Sequence, residues 1–247
     1  MSCLLDFHVN IILFDPQEVE LPLPRRDVRA IHLLTVLRLG VGEEFDAGLI
    51  DGPRGRGTLV QIGTDFLWLR FVWGELPPPL CPIQIIVGLP RPQTARDILR
   101  EAATLGVAAL HFFPAEKSER GYGQSKLWQN DAWRQCVING AAQAFDTRLP
   151  SVRHHESLAD AINSAAACGN RLALDNYEAT SSLHRFTLAP GTATVLALGP
   201  EGGWAGTERD LLRARDFSIV DLGPRVLRTE TACIAAVTII KGKLNPP

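Results

Sequence analysis

Two short stretches near the end of this 247-residue chain carry the residue types best suited to chemistry. LALGPEGGWAGTERDLL, residues 196 to 212, closes an apolar run with a glycine-proline turn that holds a carboxylate, Glu201, in its middle. VDLGPRVLRTETACIAAV, residues 220 to 237, repeats the plan and crowds Arg228, Thr229, Glu230 and Thr231 at a helix start. Pro200 fixes φ, while Gly202 and Gly203 allow close backbone approach and positive φ. Glycine turns between a strand and a helix usually cradle a phosphate, but Glu201 would repel an anion at a helix N-terminus. The Walker lysine is missing too, since no Gly-Lys-Ser or Gly-Lys-Thr occurs. No G-x-G-x-x-G opens the first βα turn.

What remains is a neutral or cationic ligand with a flat ring to hold between backbones. S-adenosylmethionine fits, with an adenine, a ribose, a sulfonium and no phosphate. Two such loops at the C-terminal ends of parallel strands would converge on one crevice, where α/β sheets bind ligands. Plainer readings stand beside these. GPEGG could be only a tight turn, Arg228 with Glu230 only a surface ion pair of little worth, and Thr229 or Thr231 only an N-cap.

The elements that must position these loops follow from periodicity. Up to about residue 75 the chain reads as β-rich. ILFDPQEVELPL has strand and turn residues, and GEEFDAGLIDGPRGRGTLVQIG reads as a hairpin about Asp51-Gly52-Pro53, with FLWLRFVW continuing it. The proline cluster of GELPPPLCP cannot continue helix or sheet and marks a boundary, giving domains of 1–75 and 76–247. Beyond it strands and helices alternate. IQIIVGL is a buried strand, and TARDILREAATLG is a helix with Ile98, Ala102 and Leu105 on one face and Gly106 as its stop. VAALHFFP, RLALD, ATVLALG and SIVDLG read as strands. KLWQNDAWRQCVINGAAQAF, LADAINSAAACG, GTERDLLRARD and TETACIAAVTIIKGKL read as helices, the third with a capping-box-like start at Thr207 and Asp210. Repeated βα units imply a parallel sheet covered by helices.

Composition sets the outer bounds. At 46% hydrophobic and 21% charged the chain can bury a core. No run of about eighteen apolar residues predicts a membrane span, and MSCLLDFHVN lacks the pattern of a signal peptide. Cys3, Cys81, Cys136, Cys168 and Cys233 form no C-x-x-C pair, which suits reduced thiols in a cytoplasmic protein. His154-His155 is not a metal pair, because neighbours on a strand point apart, and no metal site is expected. The first 75 residues hold seven Arg against eleven Asp or Glu, a net of −4, so any RNA surface there is a local patch.

ALGPEGGW and DLGPRVLRTETA resemble the two C-terminal signature loops of the SPOUT methyltransferases, and more narrowly of the RsmE type, which methylates N3 of a uridine in 16S ribosomal RNA. HLLTVLRLGVGEEFDAGLIDG is similar to that family's opening domain and TLGVAAL to its first helix-to-strand turn, so the resemblance spans nearly the whole chain. It implies an α/β protein: an N-terminal PUA-like β-barrel that binds RNA, followed by a SPOUT domain with a C-terminal trefoil knot. It implies a homodimer acting on ribosomal RNA of the small subunit, with S-adenosylmethionine as cofactor. By the same likeness Leu174, Leu198, Gly199, Pro200, Glu201, Gly202, Gly203, Leu222, Gly223, Leu227, Arg228, Thr229, Glu230, Thr231 and Ala232 line the cofactor site.

The chemistry can be read from the residues as well. Uridine N3 carries a proton at neutral pH, and the anion left by its loss is stabilised by a cation beside O2 or O4. Arg228 is the catalytic candidate; permanently charged, it cannot be the base. Glu230 would orient Arg228 or meet the cationic end of the cofactor. RNA contacts are expected from His32 and Arg38, from Arg54 and Arg56 in the loop DGPRGRG, and from Gln143 and Arg148. The chain departs from the family pattern at Glu101 and Thr104, where Lys and Glu are expected. It departs again at Ala142 and Asp146 of AAQAFDTRLP, where Glu and Arg are expected, and MSCLLDFH lacks an early Arg-Phe pair. Three readings stand: a uridine-N3 methyltransferase, an RNA-binding ribosome-assembly protein that keeps the fold without turnover, and a SPOUT enzyme acting at another RNA position.

Overall fold

The computed structural model describes residues 10–165, 169–189 and 191–244. The opening MSCLLDFH, with Cys3, and also Cys168 lie outside the described residues. The chain divides into two compact units: one of residues 1–79 and 141–149, the other of 80–140 and 150–247. The sequence gives no sign that 141–149 belongs with the first unit, because its residues continue a helical pattern without interruption.

The first unit is built on a five-stranded sheet of β1 (Ile12–Phe14), β2 (Leu23–Pro24), β3 (Glu44–Leu49), β4 (Arg54–Ile62) and β5 (Phe66–Trp73), in the order β1-β3-β4-β5-β2. β1 runs parallel to β3 and the other pairs are antiparallel. FLWLRFVW shows why the sheet has two different faces. Leu67, Leu69, Phe71 and Trp73 pack toward a core that includes Phe14, Phe45 and Leu59, while Phe66, Trp68, Arg70 and Val72 face water. The expected hairpin about residues 51–53 joins β3 to β4, with Asp51 at a φ of 56°. HLLTVLR continues a short helix, α1 (Val28–Ile31), as a wider turn closed by Leu37 N–H donating to His32 O.

The second unit holds β6 (Cys81–Gly88), β7 (Val107–Phe113), β8 (Ser151–His154), β9 (Asn170–Leu174), β10 (Ser181–Ser182), β11 (Thr194–Leu198) and β12 (Ser218–Asp221). They form one sheet in the order β10-β12-β9-β11-β6-β7-β8, with every pairing parallel. β11 is buried along its whole length, as expected of a central strand with helices on both faces. The helices are α2 (Pro92–Thr104), α3 (Lys126–Gln129), α4 (Ala132–Gln143, whose last three residues belong to the first unit), α5 (Leu158–Ser164), α6 (Gly206–Ala214) and α7 (Thr229–Leu244). The long helix expected from residue 126 is broken in two, because Asp131 turns the backbone to a φ of 52°. Of the helix expected over LADAINSAAACG the structure shows Leu158–Ser164; residues 166–168 lie outside the described residues. β8 and β10 are too short and polar to announce themselves by alternation.

α7 packs against α2 along Cys233, Ala236, Val237 and Ile240. Lys241 Nζ donates to Leu105 O at 2.5 Å, and Lys243 Nζ to His184 O and Phe186 O. No helix among the described residues is long and apolar enough to cross a membrane.

Three histidines sit where β7 meets β8. His111 Nε2 donates to Gln84 Oε1 at 3.2 Å, which leaves its Nδ1 to accept from His155 Nε2 at 2.9 Å. His154 packs on Phe112 and meets Trp128 edge-on. Burial, helped by the neighbouring His155 and Arg153, pushes the His111 pKa down to about 4. Burial also lowers those of His154 and His155. As pH falls, the unfolded chain, whose imidazoles titrate near about 6.5, takes up protons before the folded one. Stability is therefore full above about 6.5 and is lost progressively toward about 4. Urea unfolding at about pH 7.5 and about pH 5 should show a lower unfolding free energy at the acid value, with His111→Gln narrowing the difference. Equal stability at both, in both proteins, would mean that His111 is not held neutral.

Candidate functional site

The order β12-β9-β11 brings three loops to one edge of the sheet. Leu174 is in register with both Leu198 and Val220, so the three strands end level and their loops, 175–177, 199–205 and 222–228, face one another.

The 199–205 loop is held from Pro200 to Ala205. Gly203 N–H donates to Pro200 O at 2.8 Å, with Gly203 at a φ of 68°. Pro200 lies so close to β6 that a Cβ on Gly88 would come within 2.7 Å of its Cδ. Glu201 Oε1 accepts from the backbone N–H of Arg91, the residue that precedes α2, at 3.0 Å. Lys117 Nζ donates to Gly202 O at 3.2 Å. Trp204 is buried, its ring nearly parallel to that of Phe113, and its Nε1–H donates to Leu174 O at 2.8 Å. One expectation needs correction here: Gly202 has no positive φ, and the left-handed turn falls on Gly203 alone.

α6 starts differently from expectation. Its N-cap is Ala205, not a hydroxyl residue, and an alanine has no side-chain acceptor. The buried Glu208 does the capping by reaching back, its Oε2 accepting from Ala205 N–H at 2.9 Å and its Oε1 from Glu116 N–H at 3.0 Å. Thr207 instead hydrogen-bonds Glu116.

The other two loops are tied to each other. Buried Asp175 accepts from Tyr177 N–H at 2.6 Å through Oδ1 and pairs with Arg209 through Oδ2. Asn176 Nδ2 donates to Arg225 O at 3.0 Å. Asp221 Oδ1 accepts from Gly223 N–H at 2.9 Å, and Gly223 sits at a φ of 105°.

Between the loops lies a solvent-open cleft. Leu174, Leu198, Gly199, Pro200, Glu201, Gly202, Gly203, Leu222, Leu227, Thr229 and Ala232 line it. Of the expected residues Gly223, Arg228, Glu230 and Thr231 do not. Asp175, Asn176, Tyr177, Trp204 and Val226 line it as well, and sequence reasoning missed them. The usable signal was position, since Asp175 to Tyr177 directly follow a parallel strand and Trp204 directly follows the glycine turn. Among the described residues no Lys, Arg or His lines the cleft, and two carboxylates do, Glu201 and Asp175, the second already paired with Arg209. Such walls favour a neutral or cationic ligand and disfavour a phosphate.

Arg228 stands exposed at the end of the third loop, and its carbonyl accepts from Ala232 N–H at 2.8 Å. Among the described residues no ion pair joins it to Glu230, so a guanidinium is left uncommitted next to the cleft. Cys233 is buried in α7, and burial pushes its thiol up to about 12, which rules it out as a nucleophile. Among the described residues no group of three or more His, Cys, Asp or Glu is placed to hold a metal ion.

The expected RNA contacts lie in the first unit and fall into two sets. Arg54 and Arg56 are not in a loop but on β4, and Arg56 pairs with Asp46 at 2.6 Å and Glu44 at 3.4 Å. Arg54 lies 3.9 Å from Asp146, and Arg148 Nε donates to Pro77 O at 3.1 Å. His32, Arg38 and Gln143 make no such side-chain bond among the described residues, and Arg38 and Gln143 are exposed. The departures from the family pattern are absorbed locally. Asp146 Oδ1 accepts from Thr147 N–H and Arg148 N–H, Glu101 pairs with Arg100, and Thr104 Oγ1 donates to Arg100 O. None of the four lines the cleft.

Residues 77–241 match the family model of the RNA methyltransferase domain. The chain is 33% identical to ribosomal RNA small subunit methyltransferase E of Treponema pallidum over 94% of its own length and 90% of that protein's. Among solved structures, a predicted RNA methyltransferase of Thermotoga maritima is 25% identical, with a TM-score of 0.65 over 89% of this chain and 93% of that one. The ribosomal RNA small subunit methyltransferase E of Neisseria gonorrhoeae, solved with S-adenosyl methionine, shares the fold at 22% identity and a TM-score of 0.69, over 94% and 97%.

Gly203→Val should distort the 199–205 loop, since a β-branched residue is strained at a φ of 68°. We expect a loss of about 1–3 kcal/mol in unfolding free energy and a fall of roughly tenfold or more in the calorimetric affinity for S-adenosylmethionine. Gly202→Ala meets Lys117, whose Cβ is nearest at 3.2 Å, and should be milder. Wild-type binding by Gly203→Val would show that the loop does not shape the ligand site.

Proposed function

Because the chain belongs to the RNA methyltransferase family, in the group of the small-subunit ribosomal RNA methyltransferases E, we propose that it methylates N3 of a uridine in small-subunit (16S) ribosomal RNA with S-adenosylmethionine held in the cleft. The observation that carries this reading is the cleft's lining: apolar side chains and glycine backbone for a flat ring, the Glu201 carboxylate for a cationic ligand and, among the described residues, no cation for a phosphate. Leu174, Leu198, Leu222 and Leu227 supply the apolar walls, Gly199 to Gly203 the close backbone, and Thr229 a hydroxyl. When bound, S-adenosylmethionine supplies an electrophilic methyl group on a sulfonium.

The chain's own residues then have two tasks. The first is placement, because N3 must come within about 3.5 Å of the methyl carbon in line for transfer. The second is charge. N3 loses its proton as the N–C bond forms, and the negative charge spreads to O2 and O4. Arg228, exposed beside the cleft and unpaired among the described residues, stabilises that charge, and the proton leaves to solvent. Glu230, the second residue of α7, meets Arg228 or the cationic end of the cofactor once the complex forms. The departures at Glu101, Thr104, Ala142 and Asp146 lie outside the cleft, which supports an active enzyme over an assembly factor that has lost turnover.

The first unit we read as the PUA-like RNA-binding domain, with His32, Arg38 and Gln143 as the contacts still free to meet RNA. The second we read as a SPOUT domain with a trefoil knot, in keeping with β12 lying between β9 and β10. A homodimer fits α7, which buries Cys233, Ala236, Val237 and Ile240 within the unit and leaves Ile234 36% exposed among Thr231 and Thr238.

Mapping of 3-methyluridine in small-subunit RNA by mass spectrometry, with and without this gene, tests the activity; unchanged RNA would sink it. Arg228→Ala should slow single-turnover methylation by roughly 10²-fold or more with little change in cofactor affinity. Arg228→Lys should restore only part of the rate, because a point charge does not reproduce the planar fork. A rate that survives the loss of Arg228 at saturating cofactor removes it from the mechanism. Sedimentation at micromolar concentration should give about twice the 27.0 kDa chain mass, and a clean monomer would contradict the dimer.

A further inference from the structure

The floor and the mouth of the cleft differ in a way that cofactor binding does not explain. On the floor Leu198, Trp204 and Thr229 are buried. At the mouth Tyr177 is 79% exposed and Val226 77% exposed, although both line the cleft. An aromatic ring and a branched apolar side chain left in water beside a ligand site are groups waiting to be covered. Tyr177 is also held in place. Its N–H donates to Asp175 Oδ1 at 2.6 Å, and the Arg209 guanidinium, paired with Asp175 and 3.7 Å from Glu178, lies 5.9 Å from its ring centroid. The bond from Asn176 Nδ2 to Arg225 O joins the loop of Tyr177 to the loop of Val226, so the two residues stand on connected supports.

We propose that Tyr177 is the platform on which the target pyrimidine of the RNA stacks, with Val226 beside it as an apolar edge. The proposal rests on the reading of the chain as an RNA methyltransferase. A base cannot present a ring nitrogen to a protein-bound methyl donor while it is paired and stacked, so it must leave the stack, and an aromatic side chain replaces the stacking it loses. RNA is too large to enter the floor and can reach only the mouth, where Tyr177 stands. The order of residues supports a single target: Val226 and Leu227 lead directly into Arg228 on the same loop. Tyr177 thus grips the ring by its face while Arg228 is placed to meet its carbonyl oxygens. Because stacking is tolerant of base identity, Tyr177 contributes affinity and placement, and the choice of uracil falls to polar groups.

The test uses the full-length protein loaded with S-adenosylhomocysteine and small-subunit RNA substituted with 5-iodouridine, which cross-links to an aromatic ring stacked on it. Irradiation should attach RNA to the peptide carrying Tyr177. In parallel, Tyr177→Ala should raise the KM for unsubstituted RNA by about tenfold or more, leave kcat much less affected, and leave S-adenosylhomocysteine affinity within about twofold. Tyr177→Phe should restore the wild-type KM, because the ring and not the hydroxyl is at work. The proposal is overturned if Tyr177→Ala weakens S-adenosylhomocysteine binding while the RNA KM stays unchanged, which would give the ring to the cofactor. It is equally overturned if no cross-link forms at Tyr177. Wild-type protein that transfers no methyl to the RNA would mark failure of the methyltransferase reading, and the cross-link still decides the stacking, since it requires no transfer.

Discussion

Trp204 follows the glycine turn by a single residue, and its indole N–H reaches the carbonyl that ends β9. That bond, made in a buried site, spans 30 residues of chain and ties the loop after β11 to the end of β9, its neighbour in the sheet. The ring fills the core beside Phe113, so the turn before it cannot drift without opening a cavity the size of an indole. The positive φ at Gly203, the bond from Gly203 to Pro200 and the contact of Pro200 with Gly88 are consistent only with that anchored end. The cleft has a fixed shape because its floor is part of the hydrophobic core.

Charge is distributed by the same rule, that buried polar groups must be satisfied. Glu208 would be a costly buried carboxylate, but two backbone N–H groups occupy it, and it closes the start of α6. Asp175 is occupied by Tyr177 N–H and Arg209, and Glu201 by Arg91 N–H. Glu201 therefore has two functions: it holds the loop against the start of α2 and gives the cleft a negative wall. Arg228 is exposed, and its side chain has no such partner among the described residues. In the proposed reaction that cation is available for the charge that develops on the base.

In the first unit arginines that look like RNA contacts in the sequence are largely spent on the fold. Arg56 meets Asp46 directly across β3 and β4, the cross-strand position where opposite charges support each other. Arg54 and Arg148 are drawn toward residues 141–149 and the proline segment. Asp146, which departs from the family pattern, holds the turn of that segment by accepting two backbone N–H groups.

Sequence alone determined what is encoded by short-range pattern. The alternation in FLWLRFVW, the apolar runs at 83–89 and 194–198, the hairpin about residue 52, the two glycine loops and their poor fit to a phosphate were all legible, because strand period and turn chemistry are properties of neighbouring residues. The tertiary structure decided which side chains meet. The bond from Arg91 to Glu201 spans 110 residues, and that from Trp204 to Leu174 spans 30. Both depend on the strand order β12-β9-β11-β6, which no local periodicity specifies. Tyr177 was missed for that reason. Its neighbours in sequence mark it only as a loop residue, and it becomes part of the cleft because parallel pairing sets the end of β9 level with those of β11 and β12. The break at Asp131 and the left-handed turn at Gly203 rather than Gly202 were likewise settled by packing, since each backbone angle is set by the direction the chain must take to reach its next buried partner.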